Sequence, residues 1–97
     1  MKIRYRPTAL EQLDRIHDYI ATNSERAAHR VISQIKHSID LLAQLPNSGR
    51  PSEVIGIREL PIVRYPYIVF YTVDVDAGEV IILRVRHTSQ DPAHHLD

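Results

Sequence analysis

The strongest candidates for chemistry lie where the last apolar run of this 97-residue chain turns polar. There EVIIL continues into RVRHTSQDP, which sets Arg84, Arg86 and His87 at the end of a β-rich segment. Arginine recognises phosphate and carboxylate groups through a rigid fork of N–H donors, and histidine exchanges protons near neutral pH. Arg58 and Arg64, from the earlier segment RELPIVR, extend the set to a candidate cluster of arginines around the histidine.

This cluster has two interpretations. A ribonuclease needs a base, an acid and cations around a crowded phosphate, and His87, a tyrosine and two arginines would supply them. The same arginines are otherwise ordinary surface charges, solvated or paired with Glu59, Glu79 or Asp91. The chain carries 12 Lys and Arg against 12 Asp and Glu, so it lacks the positive field that steers most nucleic-acid-binding proteins onto phosphates. The charge balance therefore argues against a nuclease.

The histidine-rich C-terminal segment raises the question of a metal site. His87, Asp91, His94 and His95 lie close in sequence, but adjacent histidines point to opposite sides of an extended chain, and the set matches no known ligand spacing. The sequence contains no cysteine and no glycine-rich phosphate loop. We therefore expect no metal, no cofactor and no nucleotide-dependent catalysis.

Length and composition predict one domain spanning residues 1–97. A hydrophobic fraction of 43% is enough for one core at this length and too little for two. The lack of cysteine fits a reducing compartment, and no apolar run approaches the ~18 residues of a membrane span. We expect a soluble cytoplasmic protein.

The N-terminal half has the pattern of a strand followed by a helical hairpin. KIRYR alternates apolar and basic residues, as a half-exposed strand does. Thr8 and Glu11 form the pattern of a capping box for a first helix. Asn23 or Ser24 can cap a second helix, which we expect to continue until Pro46. Apolar residues recur at helical spacing in the first helix at Leu10, Leu13, Ile16, Tyr19 and Ile20.

The C-terminal half changes to a period of two. IRELPIV, YIVFYTV and EVIILRV are rich in β-branched and aromatic residues, and DVDAG between the last two predicts a hairpin turn. PNSGRPSE, which precedes them, predicts a loop. We expect the clustered aromatic residues to pack in the core with their hydroxyls hydrogen-bonded, base stacking being the alternative; they are Tyr65, Tyr67, Phe70 and Tyr71. The order of elements predicts an α+β fold: an N-terminal strand, a two-helix hairpin across one face of the sheet, then a three-stranded antiparallel meander.

Alternation along the last strand predicts which of its residues the helices cover. Arg84 and Arg86 share one face with Val80 and Ile82. We expect the helices to lie on the other face, which carries Ile81, Leu83 and Val85.

The chain resembles a known superfamily. IRELPIVRYPYIVFYTVD followed by VIILRVRHTSQDP, in this order of elements, resembles the RelE/ParE toxins of bacterial type II toxin–antitoxin systems. ALEQLDRIHDYIA is similar to the first helix of that superfamily, and LLAQLPNSGRP to the end of its second helix and the loop that follows. The resemblance covers nearly the whole chain.

The resemblance implies one of two activities. RELPI, YPYIVFY and RVRHTSQDPAHHL look like the ParE branch, which inhibits DNA gyrase by protein–protein contact, and this implies Arg84, Arg86 and His87 as target-binding residues. The alternative is a RelE-like ribosome-dependent mRNA endoribonuclease, onto which only Arg58 or Arg64, Arg84 and His87 would carry over as catalytic residues. A further alternative is an inactive remnant that retains antitoxin binding.

The resemblance also implies a protein partner. In this superfamily a ParD-like or RelB-like antitoxin wraps a segment around the toxin, and such a segment gains affinity by folding as it buries apolar surface. We expect it beside the helical hairpin, with Leu10, Leu13 and Ile20 as contacts. Core packing is the other interpretation of these three residues.

Overall fold

The computed structural model describes residues 1–90 and contains a five-stranded sheet in the order β1-β5-β4-β3-β2. Two helices lie between β1 and β2 in the chain. The elements are β1 (Lys2–Tyr5), α1 (Pro7–Ala21), α2 (Glu25–Asp40), β2 (Arg50–Pro51), β3 (Arg58–Pro61), β4 (Tyr67–Asp74) and β5 (Glu79–His87), with 3₁₀ turns at Leu41–Ala43 and Thr88–Gln90. The predicted α+β order is confirmed.

The helix ends differ in part from the sequence prediction. The capping box at Thr8 and Glu11 is not formed: α1 begins at Pro7, whose fixed φ suits the first helical position, and no side chain caps this end. Ser24 caps α2 as expected, since its Oγ accepts the Ala27 N–H at 3.1 Å. α2 ends at Asp40, before the end predicted at Pro46, because the chain continues into the tighter 3₁₀ turn Leu41–Ala43.

The sheet combines a parallel and an antiparallel part. β1 pairs in parallel with β5, although both helices and the strands β2 to β4 lie between them in the chain. β5, β4, β3 and β2 pair antiparallel in turn. The two-residue β2 was not predicted: Arg50 and Pro51 pair with β3 inside the segment expected to be a loop. Within residues 1–90, no helix is both long and apolar enough to cross a membrane.

A β-bulge sets the faces of β5. Phe70 pairs with Arg84 but Tyr71 pairs with Ile82, so Leu83 is an extra residue that shifts the alternation. Before the bulge Val80 and Ile82 face the helices, and after it Val85 does; all three are at most 2% exposed and belong to the core. The expectation that Val80 and Ile82 face away from the helices was therefore wrong.

The bulge also explains why the arginines lie where they were expected. Arg84 pairs across the sheet with Phe70, and Arg86 pairs with Ile68, on the side opposite α1 and α2. The hydrophobic core lies on the other side, between the sheet and the two helices, and its residues of zero exposure include Ala9, Ile35, Ile39, Leu42, Val69 and Tyr71.

Candidate functional site

The face of the sheet opposite the helices forms an open groove, which we call the open face. Arg84 and Arg86 project there from β5 beside the bulged Leu83. Phe70, which was expected in the core, projects there from β4 because it pairs with Arg84. The groove has a volume of about 570 Å³ and is closed on one side by the loop after β2. Its remaining lining residues are Pro51, Ser52, Glu53, Val54, Ile57 and Glu59.

Two glutamates line the groove: Glu59 is paired with another side chain, and Glu53 forms no ion pair within residues 1–90. Glu59 accepts a hydrogen bond from Arg50 Nε at 2.6 Å. Glu79, at the start of β5 and outside the groove, has its Oε1 3.7 Å from Arg4 Nη1. Within residues 1–90 no carboxylate oxygen lies within 4.0 Å of the guanidinium nitrogens of Arg84 or Arg86. Two cations next to an aromatic and an aliphatic side chain are suited to binding an acidic protein surface.

His87 lies on the other side of the sheet. It pairs with Tyr67, which faces the helices, and the two rings meet edge to face with centroids 5.3 Å apart. Its Nδ1 accepts the backbone N–H of Ser89 at 3.1 Å. The expected grouping of His87 with Arg84 and Arg86 is therefore not found, because adjacent residues of a strand point to opposite faces.

Arg58 and Arg64 do not join the open face either. Arg58 pairs with Tyr71 and so points to the helix side, where its Nη1 donates to the Gly49 carbonyl at 2.7 Å. Arg64 has φ of 76° in the exposed connection between β3 and β4. Arg58 thus holds the loop before β2, and the proposed four-arginine cluster divides among separate places.

Tyr71 fixes the same loop, a role that the sequence did not reveal. Its hydroxyl donates to the Pro46 carbonyl at 2.8 Å and accepts the Gly49 N–H at 2.9 Å, while the side chain is fully buried. A Cβ at Gly49 would lie 2.6 Å from the Tyr71 oxygen, so only glycine fits against the ring. A buried tyrosine was expected, but its partners lie more than twenty positions away and leave no local signal in the sequence.

Burial shifts the pKa of two other tyrosines. The pKa of Tyr67 lies above its usual value of 10.0, because burial disfavours the phenolate and Tyr19 is close by. The pKa of Tyr5 is raised likewise by burial and by the negative charge of Asp40. Both hydroxyls are therefore protonated at neutral pH and available as hydrogen-bond donors.

The residues expected to contact an antitoxin occupy three different environments. Leu13 is 4% exposed and belongs to the core. Ile20 is partly buried against that core. Leu10 is 48% exposed, so it alone of the three presents a large apolar surface to solvent.

The metal ligands considered from the sequence are mostly outside the described residues. Asp91, His94 and His95 lie beyond Gln90, where the described part of the chain ends. In residues 1–90 no three side chains of histidine, aspartate or glutamate come together in a way that could hold an ion.

Comparison with known proteins identifies the family. A family model described as the ParE toxin of the type II toxin–antitoxin system parDE matches residues 3–92. The chain belongs to the ParE family. Y4kP of Sinorhizobium fredii is 40% identical over 89 residues, or 92% of this chain and 90% of that protein. Toxin RelE2 of Caulobacter vibrioides is 39% identical over 83 residues, or 84% of this chain and 89% of that protein.

Solved structures agree with the ParE assignment. The chromosomal ParDE system from P. aeruginosa contains a chain that superposes with a TM-score of 0.81 at 31% identity, covering 90% of this chain and 95% of that one. The isolated E. coli RelE toxin superposes with a TM-score of 0.68 at 12% identity, covering 98% and 92%, which shows a common fold alone. The resemblance to the RelE/ParE superfamily, and to its ParE branch, is confirmed.

Proposed function

We propose that this ParE-family toxin inhibits DNA gyrase by binding it through the open face, with Arg84 and Arg86 as the charged contacts. The observation that carries the proposal is the pair of cations without carboxylate partners in residues 1–90, set beside Phe70 and Leu83 on an uncovered sheet. Arginines next to aromatic anchors are typical of binding hot spots. His87, on the opposite side, is not part of this contact surface.

The same geometry supports binding over RNA cleavage. A ribonuclease needs its acid, its base and its cations around one phosphate. On the open face Arg84 and Arg86 are accompanied by Glu53 and by Glu59, whose carboxylate is bound to Arg50, while His87, the histidine considered for catalysis, faces the helices. We therefore assign no catalytic residue and expect no enzymatic activity.

A cognate antitoxin is the second partner. The chain matches the family model of the parDE toxin, and two further structures of the same fold are the RelBE complexes of E. coli and of Mycobacterium tuberculosis. We infer that a ParD-like antitoxin binds and neutralises this toxin in the cytoplasm. An inactive chain that retains only this binding is the competing proposal if the toxin fails to stop growth.

Separate labelling of DNA and protein synthesis tests the proposed target. The chain is induced alone in a bacterial host, and thymidine and amino-acid incorporation are followed over the first minutes. Gyrase inhibition predicts an early fall in thymidine incorporation while translation continues. An early collapse of amino-acid incorporation would instead support the RelE-like ribonuclease.

The arginines are tested in the same assay. Arg84→Ala with Arg86→Ala should restore thymidine incorporation, while Arg26→Ala with Arg30→Ala, on the exposed side of α2, should not. Circular dichroism of the purified variants establishes that all of them fold. Undiminished toxicity of the open-face variant would refute the role of these arginines.

A further inference from the structure

A second groove lies between α1 and the end of β5, on the opposite side of the sheet from the open face; we call it the helix-side groove. Its volume is about 550 Å³. Gln12, Arg15, Ile16 and Tyr19 line it from α1, spaced so that one side of the helix carries all four. The sheet and the turn after β5 contribute Tyr67, Val85, His87 and Ser89.

Two of its hydrogen-bond donors are fixed by contacts with the protein backbone. The pairing of β1 with β5 ends at Ile82. Beyond it, the Val85 N–H donates to Gln12 Oε1 at 2.7 Å and not to a neighbouring strand. Because the carbonyl oxygen of Gln12 is held there, its NH₂ group remains to donate. His87 Nδ1 accepts the Ser89 N–H, so the neutral ring carries its proton on Nε2, which is also a donor.

Three further side chains donate without competing carboxylates. Arg15 is exposed, and within residues 1–90 no carboxylate oxygen lies within 4.0 Å of its guanidinium nitrogens. Tyr19 is 80% exposed and lies close enough to Tyr67 to affect its ionisation. The Tyr67 hydroxyl, whose pKa is raised by burial, remains a hydrogen-bond donor at neutral pH. Among the described residues the groove is lined by no aspartate or glutamate.

We propose that the helix-side groove binds a glutamate or aspartate side chain of the antitoxin, with Arg15 as its ionic partner and Gln12, Tyr19 and His87 as hydrogen-bond donors. A carboxylate is acceptor-only, which complements a groove of donors. Ile16 and Val85 provide apolar walls for the methylene groups of the same side chain. The proposal rests on the inferred antitoxin partner and is independent of the target of the open face.

The proposal separates neutralisation from toxicity. Arg15 is on the opposite side of the sheet from Arg84 and Arg86, so Arg15→Gln should leave growth inhibition unchanged but weaken rescue by the antitoxin. Its affinity for the antitoxin that rescues the wild type on co-expression should fall about tenfold, the scale of one partly exposed charge pair. Arg30→Gln, on the exposed side of α2, is the matched control and should bind like the wild type.

Small probes test the groove without the antitoxin. NMR titration of the full chain with N-acetylglutamate N-methylamide should shift the His87, Tyr19 and Tyr67 ring signals, and the corresponding glutamine compound should not. The shifts should disappear in Arg15→Gln. Wild-type antitoxin affinity in Arg15→Gln, or no shift with the glutamate probe, would overturn the proposal; so would Arg15-dependent shifts with uridine monophosphate alone, which would indicate a phosphate site.

The two proposals fail in distinguishable ways. If toxicity proves to act on translation, the gyrase proposal is wrong while the effect of Arg15→Gln on antitoxin affinity still tests the groove. If the antitoxin neutralises Arg15→Gln as well as it neutralises the wild type, while the Arg84→Ala, Arg86→Ala variant loses toxicity, only the groove proposal is wrong.

Discussion

Removing the Tyr71 hydroxyl should lower the free energy of unfolding, because this group attaches the loop at residues 46–49 to the sheet. Tyr71→Phe keeps the ring in the core but deletes the oxygen that donates to the Pro46 carbonyl and accepts the Gly49 N–H. The side chain is fully buried, so water cannot replace these contacts without rearrangement of the loop. The substitution therefore tests whether residues 46–49 are fixed by this tyrosine.

The expected cost follows from the two hydrogen bonds. A typical intramolecular hydrogen bond contributes ~1 kcal/mol net, and a buried donor left unpaired costs ~1–3 kcal/mol. We expect the free energy of unfolding to fall by about 2 kcal/mol, to which Gly49 contributes most through its unpaired N–H. In a domain of this size that corresponds to a decrease in Tm of roughly 8–16 °C.

Urea denaturation followed by circular dichroism measures this loss. Tyr19→Phe is the matched control, because Tyr19 is 80% exposed and its hydroxyl is solvated in the free chain. We expect the control to unfold like the wild type. A loss below ~0.5 kcal/mol in Tyr71→Phe, within the range of ordinary surface substitutions, would refute the role given to its hydroxyl.

Three further predictions follow from single contacts or from burial. Gly49→Ala should destabilise by roughly 1–3 kcal/mol in thermal unfolding, because the new Cβ would lie 2.6 Å from the Tyr71 oxygen; an unchanged Tm would contradict that contact. Ser24→Ala should lower the free energy of unfolding in urea by ~1 kcal/mol through loss of the α2 cap, and Ser24→Gly by only a few tenths. The pKa values of Tyr5 and Tyr67 are raised in the folded chain, so the stabilisation is complete below about pH 10 and is lost as the pH rises through the raised pKa values. Urea denaturation at about pH 8 and about pH 10.5 should show the higher stability at the lower pH, and Tyr67→Phe should reduce the difference.

Hydrophobic periodicity and local capping residues predicted the order of elements. The stripe along α1 and the β-branched runs of β4 and β5 were sufficient for an α+β fold, because each pattern depends on neighbouring residues only. Ser24 was identified as a helix cap for the same reason. Thr8 was not used as a cap because Pro7 already fixes the start of α1.

Features that depend on distant residues could not be predicted. The bulge at Leu83 arises from the register between β4 and β5. Because of it, Val80 and Ile82 face the helices and not the side on which Arg84 and Arg86 lie. The short β2 forms only because β3 lies beside it. Arg58 was included in the candidate cluster by residue type, whereas its side chain is bound to the Gly49 carbonyl.

The candidate site was likewise only partly visible in the sequence. Alternation placed Arg84 and Arg86 away from the helices, which the structure bears out. The same alternation separates His87 from them, although all three are neighbours in sequence. The helix-side groove combines residues of α1 with the end of β5, and no sequence motif connects them.

Inhibition of purified gyrase measures the proposed effect of the toxin on its target. The toxin, released from its antitoxin and refolded, is added to gyrase and relaxed plasmid, and supercoiling is measured against toxin concentration. We predict inhibition by the wild type and by the Arg26→Ala, Arg30→Ala control, and at least about tenfold weaker inhibition by the Arg84→Ala, Arg86→Ala variant. Full supercoiling in the presence of folded wild-type toxin would refute gyrase inhibition, and equal inhibition by the Arg84→Ala, Arg86→Ala variant would refute binding through the open face.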